Sequence, residues 1–242
     1  MKKLGVNIDH IATLRNARGE NHPKVFSAAK FAMKSGANYI TIHLREDRRH
    51  IKDKDLKIIS SAKSIPFNLE ISSNIKMLNV ALKANPNFVC IVPEKRKEIT
   101  TEGGLNILKN KQKIKKIIST LSNKNIRTSL FINPNLNDVK ISKELNANCI
   151  EIHTGKLSRL VKSRKKYTFE LNKIKKCAKY ASRLNIDVHA GHGLDYKTTK
   201  ILSKIKEIKE YNIGHFIIGE SIFYGLKKVI KNFKGIINWC KF

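Results

Sequence analysis

The sequence predicts an α/β protein of the (β/α)₈ barrel type, and three observations carry that prediction. Short, mostly apolar runs with the length and residue types of buried strands recur eight times. Between them lie segments of helical periodicity, with Ile and Leu on one side and Lys on the other, as in 105–118 (LNILKNKQKIKKII) and 201–210 (ILSKIKEIKE). No linker or low-complexity break interrupts the alternation over 242 residues, a length at which such barrels form one domain. Residues 1–242 are therefore expected to make a single domain. A doubly wound open sheet is the alternative, but it would more often show fewer strands and a glycine-rich nucleotide fingerprint. The AGHG segment is not GxGxxG, and no P-loop occurs.

Taken in order, 4–8 is the first strand, delivering Asn7, Asp9 and His10 at its tip. A polar connector with Arg15, Asn16 and Arg18 follows, and Pro23 can open a helix. That helix covers 25–35 and is closed by Gly36. The second strand is 39–44 (YITIHL), followed by REDRRHI, and 53–64 is helical. The third strand, 67–70, precedes a helix over 74–84. The fourth, 88–92, is stopped by Pro93, and the polar loop PEKRKEITTEGG leads to a basic amphipathic helix ending near 123. The fifth strand is 127–132, and after NPN a helix runs to about 145. The sixth is 149–152, with His153, Thr154 and Gly155 beyond its end. A basic loop leads to a helix over 168–184. The seventh strand, 187–190, ends in HAGHGL, where Asp195 can cap the next helix. The eighth is read as 211–213 with Gly214 and His215 at its tip, before one long final helix to about 239.

The formal charge of +30 raises a nucleic-acid function, but the distribution argues against it. The lysines are scattered over helical faces that solvent would cover, few aromatics interleave with them, and no helix-turn-helix or RNP-like signature is present. Cys90, Cys149, Cys177 and Cys240 form no Cys-x-x-Cys pair; Cys90 and Cys149 lie in apolar runs, as buried thiols in a reducing compartment would. The N-terminus lacks the apolar region of a signal peptide, and no apolar run approaches the ~20 residues of a membrane span, so a cytoplasmic protein is expected.

In a barrel, strand C-termini and the loops after them converge on one face. On this assignment all eight histidines, His10, His22, His43, His50, His153, His189, His192 and His215, fall there and none on a helix. Eight of ten arginines also fall after strands, which suggests anionic ligands, since guanidinium grips phosphate and carboxylate bidentately. Asp9, Glu70 and Glu151 sit near strand tips among apolar neighbours, where desolvation raises a carboxyl pKa and suits it to acid–base work. For Glu46 and Asp47 an ion pair with a loop arginine is the better reading. A metal at His189-x-x-His192 with Asp9, Glu70 and His153 is a minority reading, because that spacing is no strong signature. His192-Gly193 and Gly214-His215 precede helices, whose N-termini attract phosphate. Arg18 and Arg45 could neutralise a second phosphate.

The motifs GVNIDHIATLRNARG, ITIHLREDRRHI, NLE, VPEKRKEITTEGG, IEIHTG, AGHGL and NIGH, in this order over almost the whole chain, closely resemble the pyridoxine 5′-phosphate synthase family. The resemblance implies a (β/α)₈ barrel with extra helices, a homo-octamer and no required metal or organic cofactor. It also implies condensation of 1-deoxy-D-xylulose 5-phosphate with 3-amino-2-oxopropyl phosphate to pyridoxine 5′-phosphate, phosphate and water. Carried over by position, His43 and Glu70 would be proton acceptors, His192 the proton donor, and Glu151 a transition-state stabiliser. Asn7, Arg18, Gly193, Gly214 and His215 would hold the aminoketone phosphate. Asp9, His10, Arg45, His50 and Thr100 would hold the deoxyxylulose phosphate. Two departures stand out: Glu220 where relatives usually carry Arg, and His189 where they often carry Asn. The competing readings are a phosphosugar aldolase or isomerase on the same barrel, and a basic nucleic-acid-binding protein. A Schiff-base aldolase would need a lysine at an inner strand tip, and none is placed there.

Overall fold

Eight parallel strands close into a barrel in which each pairs with the next and the eighth returns to the first. The computed structural model describes residues 1–94 and 103–238; Arg96, Thr100 and Cys240 lie outside the described residues. The elements are β1 (Lys3–Asn7), α1 (Asp9–Arg18), α2 (Val25–Lys34), β2 (Tyr39–His43), α3 (Asp53–Ser61), β3 (Phe67–Ser72), α4 (Ile75–Ala84) and β4 (Phe88–Val92). They continue as α5 (Lys111–Ser122), β5 (Arg127–Ile132), α6 (Leu136–Glu144), β6 (Cys149–His153), α7 (Gly155–Lys162), α8 (Thr168–Arg183) and β7 (Asp187–Gly191). The chain closes with α9 (Tyr196–Ser203), β8 (Ile208–Ile213), α10 (His215–Tyr224) and α11 (Leu226–Asn238). The expected (β/α)₈ class is borne out, with helices in excess of one per strand.

The strands alternate in character. Leu4 and Val6, Ile40 and Ile42, Leu69 and Ile71, and Ile150 and Ile152 are fully buried and belong to one continuous apolar core with the helices' inner faces. The intervening residues line the inside of the barrel, and many are polar: Thr41, Asn68, Ser129, Glu151, His189, Glu210 and Asn212 are all buried. Period-2 patterning thus puts the hydrophobic core outside the barrel wall and a polar network within it. Asp195 caps α9 as expected, its carboxylate accepting the Thr198 N–H at 2.7 Å.

Four local expectations are corrected. The polar connector after the first strand is helix α1, so Arg15 and Arg18 are helical. Its inward residues are Asp9, Ala12 and Arg15, so the buried face carries charge and the usual apolar stripe is missing. Arg15 turns inward to a bidentate pair with Asp55, at 2.5 and 2.9 Å. The basic loop after the sixth strand begins with α7, anchored by buried Leu157 and Val161, and it carries Arg159. The eighth strand starts at Ile208, earlier than expected, but ends at Ile213 as read. The final helix is two helices, broken at Gly225, whose φ of 77° is left-handed.

Candidate active site

The mouth of the barrel is assembled from strand ends inward. Asn7 closes β1; its amide Nδ2 donates to Asp9 Oδ2 at 2.9 Å, and its Oδ1 accepts the Asp9 N–H at 2.9 Å. Asp9 Oδ1 in turn accepts the His43 N–H at 2.9 Å, which ties the start of α1 to the tip of β2. Burial pushes the Asp9 carboxyl up, against the opposing pull of His43, Asn7 and Arg45.

His43 lies between two carboxylates. Its Nδ1 is 3.8 Å from Glu70 on β3, the residue it pairs with in register, and its Nε2 is 3.8 Å from Glu94. Glu94, just past β4, was not singled out in the sequence. Its side chain is only 2 % exposed, accepts the Glu46 N–H at 2.7 Å and stands 3.7 Å from Arg45 Nε. Burial pushes the Glu94 carboxyl up, but His43, the Glu46 amide and Arg45 outweigh that and hold it low. The clue available in sequence was its place immediately after Pro93, at a strand end like the other site residues.

Two further carboxyls behave differently. Burial first, and then the charges of Glu151 and Asp9, push Glu70 well above the usual carboxylate range. Glu151 on β6 is pushed up to about 7, mainly by burial and with Glu210 adding, against a hydrogen bond from Asn212 Nδ2. Its Oε1 lies where a side chain at position 191 would be: a Cβ on Gly191 would stand 1.9 Å away.

On the far side, His192 follows β7 with φ 74°, and its ring is 4.9 Å from that of His153. Burial lowers the His192 pKa, with Arg159 and Lys162 adding, and drives His153 down to about 4. Gly155 is the floor under both rings, since its Cβ would lie 2.8 Å from each. Gly193 (φ 76°) follows, facing Gly155 and Ser158.

A third histidine group closes the ring. The His10 ring is 4.9 Å from His215 and 6.0 Å from His50, and Thr13 Oγ1 lies 2.7 Å from His50 Nδ1. Burial drives His50 to about 4, with His10, Arg45, His43 and Arg49 adding. Gly214 lets the start of α10 approach β1, as its Cβ would be 2.9 Å from the Asn7 Cβ.

The expectation that no histidine is helical is corrected: His10 is the second residue of α1 and His215 the first of α10. Both remain in first turns, so they still face the mouth. Arg18 is exposed on the last turn of α1, nine residues beyond Asp9 and roughly 13 Å along the helix, outside the hydrogen-bonded cluster around Asp9. His189 and His192 engage different partners: His189 Nε2 faces Glu210 inside the barrel at 3.5 Å. Asp47 pairs with Arg49 at 2.6 Å, as read, whereas among the described residues Glu46 takes its side-chain hydrogen bonds from Ser72 and Asn74.

A closed parallel barrel whose mouth gathers imidazoles with buried carboxyls raised above their usual range has the layout of an acid–base enzyme of the (β/α)₈ class. Comparison with known proteins narrows this. The family described as "Pyridoxal phosphate biosynthesis protein PdxJ" matches residues 4–239, and the chain belongs to that family. It is 65 % identical over 238 residues to a pyridoxine 5'-phosphate synthase of Pelagibacter ubique (strain HTCC1062), covering 98 % of this chain and 100 % of the relative. It is 48 % identical over 236 residues to the protein of that name from Zymomonas mobilis, covering 98 % and 91 %. Among solved structures, 3-keto-L-gulonate-6-phosphate decarboxylase from Vibrio cholerae superposes with TM-score 0.66 at 12 % identity, covering 99 % of each chain, a likeness of fold alone.

Proposed function

We propose that this chain is a ring-forming synthase that condenses 1-deoxy-D-xylulose 5-phosphate with 3-amino-2-oxopropyl phosphate to give pyridoxine 5′-phosphate, phosphate and water. The observation that carries this reading is Glu70, a buried carboxyl raised above the usual carboxylate range and 3.8 Å from His43, with Glu151 likewise buried and raised, in a family of this biosynthetic role. Amine and ketone must form a Schiff base, a phosphate must leave, and ring closure must expel water. Every one of these steps moves protons, and groups that titrate near the working pH serve them best.

In this reading His43 and Glu70 accept protons, His192 donates one, and Glu151 stabilises a transition state. Asn7, Gly193, Gly214, His215 and Arg18 hold the aminoketone phosphate. Asp9, His10, Arg45, His50 and Thr100 hold the deoxyxylulose phosphate. The start of α10 at His215 supports the phosphate assignment, since free backbone N–H groups of a helix N-terminus face that end of the barrel. Residues 1–242 act as one catalytic domain, and the protein works in the cytoplasm as a homo-octamer. Exposed Ile222, Phe223 and Tyr224 at the end of α10 support assembly, as apolar surface that a second copy would cover.

The test is substrate omission with purified protein. Both phosphorylated substrates together should yield the pyridoxine phosphate absorbance and free phosphate, and neither alone should be converted. Turnover of one substrate by itself would favour an isomerase instead.

A further inference from the structure

Asn212 occupies an unusual place in the barrel. On β1 it is paired with Gly5 and on β7 with Gly191, so both neighbouring strands lack a side chain beside it. A Cβ on Gly5 would stand 2.2 Å from Asn212 Oδ1, and one on Gly191 would stand 1.9 Å from Glu151 Oε1. The two gaps let the Asn212 amide reach past its neighbours to β2 on one side and β6 on the other. On the β2 side its Oδ1 accepts from Tyr39 OH at 3.0 Å and from Thr41 Oγ1 at 3.1 Å. Thr41 Oγ1 itself accepts from Asn68 Nδ2 at 3.5 Å, which leaves its own proton for Asn212. On the β6 side, Asn212 Nδ2 donates to Glu151 Oε2.

We infer that Asn212 is a positioning residue for Glu151: donors run one way from Asn68 through Thr41 to Asn212, locking the amide so that it offers N–H to the carboxylate and favours its ionised form. With the Thr41 hydroxyl donating to its oxygen, the amide cannot turn without losing that bond and setting the oxygen against the Glu151 carboxylate. The consequence rests on the role proposed for Glu151 above. The surroundings otherwise oppose its ionisation. Burial is the largest cause, and Glu210 on β8 adds to it. Glu70 on β3, Cys90 on β4, Cys149 on its own strand and Tyr39 on β2 share its field, and Arg127 on β5 and His189 on β7 line the same small cavity. Asn212 is the side chain among the described residues that is seen donating to it.

The experiment follows Glu151 itself. With side-chain carboxyls labelled by ¹³C-glutamate, the Glu151 resonance is the one lost in Glu151→Gln, and its titration is compared in the unaltered protein, Asn212→Ala and Thr41→Val. Loss of a hydrogen bond to a charged group should move the Asn212→Ala midpoint up by about one to two pH units. Thr41→Val, which is nearly isosteric, should move it the same way by less. The acidic limb of the kcat profile should follow, with the KM for each substrate little changed. An unchanged Glu151 midpoint in either folded variant overturns the inference, and Thr41→Val decides the matter if Asn212→Ala does not fold. Full turnover by Glu151→Gln would instead overturn the role proposed for Glu151, leaving the titration to judge Asn212 separately.

Discussion

The closest constraint on the proposed chemistry is a missing side chain, and Gly191→Ala tests it. Gly191 ends β7 with its backbone outside the left-handed region, so alanine meets no conformational objection there. The objection is steric: the new Cβ would lie 1.9 Å from Glu151 Oε1 and 2.8 Å from its Cδ. Real Cβ contacts essentially never fall under 3.0 Å, so the carboxyl must retreat by at least about 1 Å, and a misplacement of that size at a reacting group can cost roughly 10²-fold. The retreat also strains the hydrogen bond from Asn212, which holds the other oxygen. β7 is paired on both sides and has little freedom to move instead. The expected result is a fall in kcat of about 10²-fold, or about 2.7 kcal/mol in the barrier. The assay is initial-rate formation of the pyridoxine phosphate chromophore, with circular dichroism to show that the barrel is intact. A folded Gly191→Ala with unaltered kcat would refute the reasoning that Glu151 must sit where it does.

Two further outcomes follow from the buried charges. Arg15→Met removes one partner of the Arg15–Asp55 pair, whose side chains are 10 % and 9 % exposed, and stranding a buried carboxylate costs about 3 kcal/mol or more. The midpoint of thermal unfolding should drop by roughly 6–12 °C; a change within two degrees would mean that the pair contributes little. His189→Asn addresses pH. Burial holds His189 down to about 4 from 6.5, with Glu210 opposing that shift. Between those values the unfolded chain binds a proton that the folded one refuses, so this group's effect is to withdraw stability as pH falls. Urea unfolding at pH 7.5 and pH 5 should show the variant gaining on the unaltered protein by about 2 kcal/mol at the lower pH. A difference that does not change with pH would contradict the buried, neutral state of His189.

The barrel could be read from residues because strand and helix periods differ sharply here. Runs such as YITIHL and FVCIV announce strands whatever their neighbours do. The same rule failed at α1, where the buried face is Asp9, Ala12 and Arg15 and depends on Asp55, forty residues away, to satisfy the arginine. A long-range partner leaves no local trace. Glu94 escaped for a related reason: it joins a polar loop in sequence, and only the closing of the barrel carries it to His43 and Arg45. Asn212 was hidden by geometry of another kind, since its reach depends on Gly5 and Gly191 in neighbouring strands, and register is invisible in one sequence. His43, Glu70, Glu151 and His192 could be picked out because each combines a titratable side chain with the end of an apolar run. Arg18 carries no such mark, since it ends a polar helix whose boundaries the sequence does not announce.

The central claim is that raised carboxyls in this mouth move the protons of ring closure, and Glu70→Gln tests it most directly. The substitution keeps the shape of a side chain that lies 3.8 Å from His43 and removes its ability to take a proton. Turnover of the two substrates and equilibrium binding of the aminoketone phosphate should be measured on the same preparation. The account predicts turnover lower by roughly 10²–10⁴-fold, the contribution of one positioned acid or base, with binding largely unchanged. Turnover equal to that of the unaltered protein would contradict it.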